Sequence, residues 1–247
     1  MKNFDIGITT FSLRYDFVET LVKQIRNYTN NNILLTINGE YGEPFDEEYR
    51  KRILKLCLEH NNIFPIFFTE MRGLSKMWNS LVIHATNKDI LILNDDISIE
   101  SSNIFDVVLS HINSDEYNGL SIINDTFSFF VTNKDYVDDL GYFDERLLGF
   151  GEEDGDIMYR IRKKHNKQVD RLYCGDLTNI ISDVRHTKVK NGIGKYSLFN
   201  REYIFNEKYK CYGDIYYFPN GIECDQLFDD IKLYPAEEYF NKNKNKL

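Results

Sequence analysis

Four consecutive apolar residues, Ile90-Leu91-Ile92-Leu93, run straight into Asn94-Asp95-Asp96. A run with no polar alternation suits a strand buried on both faces, as in a parallel sheet. In open α/β sheets, ligands bind just beyond the carboxyl ends of such strands. Two adjacent carboxylates at that place suit a divalent cation, and hard cations commonly join one or two carboxylates to substrate phosphates. The junction therefore carries two readings. One is a solvated turn, since Asp is a common turn residue; the other is a metal–diphosphate site.

The chain before this junction alternates regularly. Residues 4–10 read as a first strand, with Phe4, Ile6 and Ile8 on one face. Phe17, Leu21, Ile25 and Tyr28 recur at helical spacing. Residues 33–37 predict a second strand, closed by Asn38-Gly39; Tyr49, Ile53, Leu56 and Cys57 mark a second helix. A third strand over 63–68 and a helix over 74–85 lead into the Ile90 strand. This β-α alternation predicts a parallel sheet flanked by helices. After Asp96 the rhythm changes. A helix is expected over 104–112, strands over 120–123 and 127–131, and a helix over 156–165. We therefore expect one α/β domain over 1–205, a nucleotide-binding half at 1–96 and a mixed half at 97–205. Residues 206–247 form an extension of unknown role, and its Lys-Asn tail is expected to be disordered.

Composition narrows the functional classes. Of 247 residues, 30 are Lys or Arg and 39 are Asp or Glu, a net charge of -9 that makes the chain a poor binder of nucleic-acid phosphates. The four cysteines form no C-x-x-C pair, which disfavours a zinc knuckle or redox motif. No stretch approaches the ~20 apolar residues needed to cross a bilayer. These features lead us to expect a cytoplasmic protein, with peripheral contact at the inner membrane face compatible with the aromatic stretch Tyr216-Tyr217-Phe218.

Two further segments carry candidate chemistry. Gly149-Phe150-Gly151-Glu152-Glu153-Asp154-Gly155-Asp156 places four carboxylates in five positions. Such charges repel one another unless they are solvated, capping a helix, or meeting a cation or proton. Asp154 or Asp156 is a potential cap for the helix after it. An ionised carboxylate facing a pocket is also a serviceable general base. Downstream, His186 sits in a basic, glycine-containing loop that includes Lys188, Lys190 and Gly192. As a third ligand beside Asp96 it suits Mn²⁺ or Mg²⁺.

In this order, the elements resemble the GT-A glycosyltransferases, most closely the bacterial family 2-like inverting enzymes. Ile6-Gly7-Ile8-Thr9-Thr10-Phe11 is similar to the family's opening strand, and Asn38-Gly39 to the position after its second strand. Arg72-Gly73-Leu74-Ser75-Lys76-Met77-Trp78-Asn79 resembles its Gly-Leu-Ser-x-x-Arg-Asn stretch, with Trp78 where the family has Arg. Leu93-Asn94-Asp95-Asp96 resembles the DxD-type metal motif, with Asn94 in place of the first Asp. Gly141-Tyr142-Phe143-Asp144-Glu145-Arg146 and then the 149–156 segment resemble the Gly-Tyr-Phe-Asp-Glu segment and the Gly-Trp-Gly-x-Glu-Asp-x-Asp acceptor motif.

The resemblance implies sugar transfer with inversion from a nucleotide-diphosphate sugar, UDP-sugar first among them, to a hydroxyl of a glycan or lipid-linked acceptor. The setting it implies is surface polysaccharide or glycoconjugate synthesis. Asp96, with Asp95 and His186, would hold Mn²⁺ or Mg²⁺. Thr9, Phe11, Asn38 and Arg72 are candidates for the base and ribose, Asn94 and Asp95 for the donor. Asp154 would accept the acceptor's proton, and Glu153 would hold sugar hydroxyls. Trp78, Phe127 and Phe150 offer aromatic faces to a sugar or to the core, and Lys76 or Arg72 would supply the charge that Trp78 lacks. Two alternatives remain open: a sugar- or nucleotide-binding module with a degenerate site, and a sugar-1-phosphate nucleotidyltransferase. The latter is disfavoured because Thr9-Thr10-Phe11-Ser12-Leu13-Arg14 has no glycine.

Overall fold

The computed structural model describes residues 2–11, 14–39, 43–180, 196, 198–203, 208 and 241–246. Strand β1 (Phe4–Phe11), helix α1 (Tyr15–Arg26), β2 (Ile33–Asn38), α2 (Glu47–Glu59), β3 (Ile63–Phe67), α3 (Leu74–His84) and β4 (Asp89–Asn94) realise the expected alternation. The buried stripe of α1 is Val18, Leu21, Val22 and Ile25, the i, i+3, i+4, i+7 set of an amphipathic helix. Tyr28, expected on that stripe, lies past the helix end and is exposed. Asp46 starts α2 by accepting hydrogen bonds from the Glu48 and Tyr49 amides at 2.9 and 3.0 Å.

After β4 come β5 (Ile97–Ile99), α4 (Asn103–Ile112), β6 (Leu120–Ile123), β7 (Thr126–Asn133), α5 (Lys134–Leu140), α6 (Glu153–His165), β8 (Asp170–Leu172) and β9 (Leu177–Asn179). Among the described residues, seven strands form one sheet in the order β3-β2-β1-β4-β7-β6-β8, and β5 pairs with β9 separately. The β3-β2-β1-β4 side is parallel. β7 enters antiparallel to both β4 and β6, so the sheet is mixed. Only Asn124-Asp125 separates β6 from β7, and both residues have positive φ, the backbone of a tight hairpin turn.

Both faces of the sheet are covered. Leu91 and Leu93 of β4 belong to the apolar core shared with α1, α2 and α4; Ile90 and Ile92 belong to the core on the other face, with α3 and α6. The unbroken apolar run is thus the alternation of a strand that faces two cores. One buried carboxylate fastens the amino-terminal end of β1. Asp5 accepts hydrogen bonds from the Thr86 and Asn87 amides and from the Thr86, Asn87 and Asn32 side chains. It ties the start of β1 to the loop between α3 and β4.

The C-terminal tail departs from expectation. Residues 241–246 are helical rather than disordered. Asn243 is buried and Lys244 Nζ lies 3.4 Å from Glu70 Oε2, so contacts with the body order a segment whose composition alone suggests a solvated coil. His186, the basic loop around it and Tyr216-Tyr217-Phe218 lie outside the described residues.

Candidate active site

Parallel pairing sets the site's first wall. The β1–β4 register places Thr9 beside Asn94 at the strands' carboxyl ends. The Thr9 hydroxyl donates to Asn94 Oδ1 at 3.1 Å. One residue further, the Thr10 hydroxyl donates to Asp95 Oδ2 at 2.7 Å, and Tyr49 Oη lies 3.3 Å from the same hydroxyl. Asp95 is buried. Burial pushes its carboxyl up and Asp96 adds to that, while Arg14 and the Thr10 hydrogen bond oppose it; the result is about 7.

Arg14, at the start of α1, is a site residue that its local sequence does not mark out. Its Nη1 lies 3.1 Å from Asp95 Oδ1 and its Nη2 lies 2.9 Å from Asp96 Oδ2. A guanidinium fork thus bridges the two carboxylates. The only signal in the sequence is a basic residue just past β1, the strand that borders the acidic end of β4; sheet order alone makes it meaningful.

A cavity of about 240 Å³ opens over this wall. Thr9, Phe11, Arg14, Asn94, Asp95 and Asp96 line one side; Leu74, Phe150, Gly151 and Glu153 line the other. The second side is carried across by a backbone crossing at the start of α3. Leu74 N–H donates to Gly149 O at 2.7 Å. A Cβ on Gly73 would stand 2.4 Å from Leu147 O, and one on Gly149 would stand 2.5 Å from the Tyr196 ring, so both positions need glycine for close approach. Asn200, also unmarked in the sequence, threads this loop: its amide donates to Leu148 O and Gly151 O and accepts from Leu148 N–H.

The acidic cluster splits into different roles. Glu152 holds a left-handed backbone (φ 77°) immediately before α6 and pairs with Arg201 at 2.8 Å. Glu153 lines the cavity and accepts the Gly151 amide at 2.6 Å. Burial raises its carboxyl, the neighbouring Asp154 raises it further, and the two effects outweigh the backbone hydrogen bonds to reach about 8. Asp154 is half-buried, accepts the Gly155 amide and is not among the cavity-lining residues. Asp156 does not cap the helix; it is buried in the first turn of α6 and pairs with Arg160 and Lys208 at 2.9 and 2.8 Å. Lys208 also reaches Asp144, which Arg146 grips through two hydrogen bonds. Burial raises the Asp144 and Asp156 carboxyls, but Lys208 with Arg146 and Arg160 outweighs it, so both lie below the ordinary range. These two aspartates lock the Phe143–Arg146 turn to α6.

Other sequence candidates act as supports. The Asn38 amide donates to Arg72 O and accepts Arg72 N–H, each at 2.8 Å, which joins the end of β2 to the loop before α3. Neither residue is among those lining the cavity. Lys76 pairs with Glu145, and Asn79 clamps the Phe143 backbone, so Lys76 does not replace the missing arginine at the cavity. Trp78 and Phe127 are buried against Phe130 in the core; Phe150 faces the cavity.

Among the described residues, no group of three or more His, Cys, Asp and Glu side chains converges as a metal cage. The Asp95–Asp96 pair nevertheless fits a divalent cation. The Arg14 fork shows where positive charge binds between the carboxylates. Mg²⁺ and Mn²⁺ take hard oxygen ligands and commonly fill their remaining positions with phosphate oxygens and water.

No protein-family model matches the chain, and no curated protein matches its sequence. Solved structures do. The fold is similar to that of glucosyl-3-phosphoglycerate synthase from Mycobacterium tuberculosis in complex with Mn²⁺, UDP and glucosyl-3-phosphoglycerate: TM-score 0.58 at 8% identity, over 85% of this chain and 82% of that one. The same synthase in complex with Mg²⁺ and UDP gives 0.56 at 9%, over 85% and 81%. The mannosyltransferase PcManGT from Pyrobaculum calidifontis, with GDP-Man and Mn²⁺, gives 0.53 at 9%, over 99% and 76%. The architecture is that of the GT-A glycosyltransferases.

Proposed function

We propose that this chain is a metal-dependent inverting glycosyltransferase that moves a sugar from a nucleotide-diphosphate sugar, UDP-sugar by preference, to a hydroxyl of a glycan or lipid-linked acceptor. One observation carries the reading: the cavity has the Asp95–Asp96 pair on one wall and the Glu153 carboxyl on the other. Such an arrangement separates the charge of a departing diphosphate from the proton of an incoming hydroxyl.

Asp95 and Asp96 would hold Mn²⁺ or Mg²⁺, with His186 a further candidate ligand, and the cation supplies a Lewis acid for the leaving diphosphate. Thr9 and Phe11 offer the base and ribose their polar and aromatic contacts, and Asn94 sits beside them. Asn38 and Arg72 shape the adjoining wall through their mutual hydrogen bonds. In its ionised form, which prevails above about pH 8, Glu153 takes the acceptor hydroxyl's proton as the acceptor oxygen bonds to the anomeric carbon and the bond from that carbon to the diphosphate breaks. Asp154 raises the basicity of Glu153 through its like charge. Phe150 gives the sugar a face to lie against. The surface-polysaccharide or glycoconjugate setting and peripheral contact with a membrane belong to the same reading.

A thermal-shift panel of UDP-, GDP-, dTDP- and CMP-sugars, with and without Mn²⁺, tests it. Binding to the native state alone adds about 2.7 kcal/mol at a hundredfold excess over Kd. One nucleotide class should stabilise the protein only with metal, and Asp96→Ala should abolish that shift. No stabilisation by any donor refutes the assignment.

A further inference from the structure

Arg14 has an unusual position for a long cation. Its backbone is fixed: its amide donates to Phe11 O, and its carbonyl accepts the Phe17 and Val18 amides at the start of α1. Its guanidinium lies 5.0 Å from the Phe17 ring centre and lines the cavity. The fork ends on Asp95 and Asp96, the residues to which the proposed reaction gives the metal. A divalent cation and this guanidinium cannot both sit between the same two carboxylates.

Charge settles which of the two occupies the site. With both carboxylates ionised, two carboxylates and one guanidinium leave a net charge of about minus one. A metal arriving alone must displace the guanidinium and then repel it at short range. A nucleoside diphosphate removes that conflict, because its oxygens accept the metal on one side and a guanidinium fork on the other.

We infer that Arg14 is a resident counter-ion, which the Asp95–Asp96 pair exchanges for the metal when a nucleoside diphosphate enters, its fork then turning to the diphosphate. The inference rests on the glycosyltransferase reading. It makes metal and nucleotide binding mutually dependent, and that dependence is the same measured from either ligand.

The test uses the full chain and Mn²⁺, with the free-ion electron paramagnetic resonance signal as the readout, alone and with UDP or GDP. In the wild type, Mn²⁺ alone binds weakly and the nucleotide tightens it by about tenfold or more, a coupling of ~1.4 kcal/mol. In Arg14→Met, Mn²⁺ alone binds about tenfold tighter, while the nucleotide binds more weakly in the presence of metal; the coupling shrinks. Arg14→Lys keeps the charge but loses the fork and falls between the two. The opposite signs exclude a merely structural role, which would weaken both ligands together. A fall in both affinities in a variant that keeps its circular-dichroism spectrum overturns the inference. So does a wild type that binds Mn²⁺ equally well with and without nucleotide, whatever the variants do. A wild type that binds neither UDP nor GDP under any metal overturns the glycosyltransferase reading with it.

Discussion

Replacing Glu153 with Gln should make the protein more stable relative to wild type as pH rises. Glu153 is buried beside Asp154, and its folded carboxyl titrates near 8 rather than at 4.5. Below about pH 4.5 it is protonated in the folded and unfolded states alike and contributes nothing to pH dependence. Between 4.5 and 8 the unfolded chain has released this proton and the folded chain still holds it. The folded state then binds more protons, so stability falls as pH rises through this window, and the loss is complete above 8. Gln carries no such proton. One unit of displacement is worth ~1.4 kcal/mol, so the wild type should lose about 2–3 kcal/mol against Glu153→Gln between pH 5 and pH 7.

The assay is urea unfolding of wild type and Glu153→Gln at pH 5, 6, 7 and 8, with the difference in midpoint converted through a common m-value. Comparing two variants at each pH cancels the titration of every carboxylate they share. Asp154→Asn is the internal control: it removes the like charge, lowers the Glu153 carboxyl and should narrow the gap. A difference between wild type and Glu153→Gln that stays constant from pH 5 to pH 7 would falsify the claim that Glu153 is neutral in the folded protein.

Two structural predictions accompany this one. Asp5→Ala strips the acceptor from five donors at the base of β1; with hydrogen bonds to a charged group worth ~1.5–3 kcal/mol each, the melting temperature should fall by more than about 5 °C, and a smaller fall would show that water replaces the carboxylate. Lys208→Met leaves Asp144 and Asp156 facing each other with their arginines only, and should cost about 3–5 kcal/mol by chemical denaturation at pH 7; an unchanged midpoint would show that Arg146 and Arg160 suffice.

The parallel half of the fold was legible because each of its elements is periodic over a local window. The spacing of Phe17, Leu21 and Ile25 marks a helix even though its buried stripe is Val18, Leu21, Val22 and Ile25, and Ile90–Leu93 mark a strand covered on both sides. The late strands β5, β8 and β9 have three residues each, too few for a period to register. The candidate site was legible where its residues sit on one strand end, as Asn94-Asp95-Asp96 line the cavity, and obscure where it depends on a distant partner. Arg14 gains its meaning from sheet order, which sets β1 beside β4 across some eighty residues of chain.

The acidic cluster shows the same limit most sharply. Glu152, Glu153, Asp154 and Asp156 are equivalent as a string of charges. Their roles diverge because their partners do: Arg201 takes Glu152, Arg160 and Lys208 take Asp156, and Asp154 stays half-solvated at the turn. Glu153 faces the cavity with backbone amides and a like-charged neighbour for company. An ion-paired carboxylate is held as an anion and is a poor proton acceptor, whereas one raised toward neutrality takes a proton readily. The arginines and lysine around Asp156 therefore do more than stabilise the turn. They hold Asp156 as an anion, while burial and the neighbouring Asp154 raise Glu153; of the four, Glu153 is the carboxyl that lines the cavity, and the proposed reaction assigns it the proton.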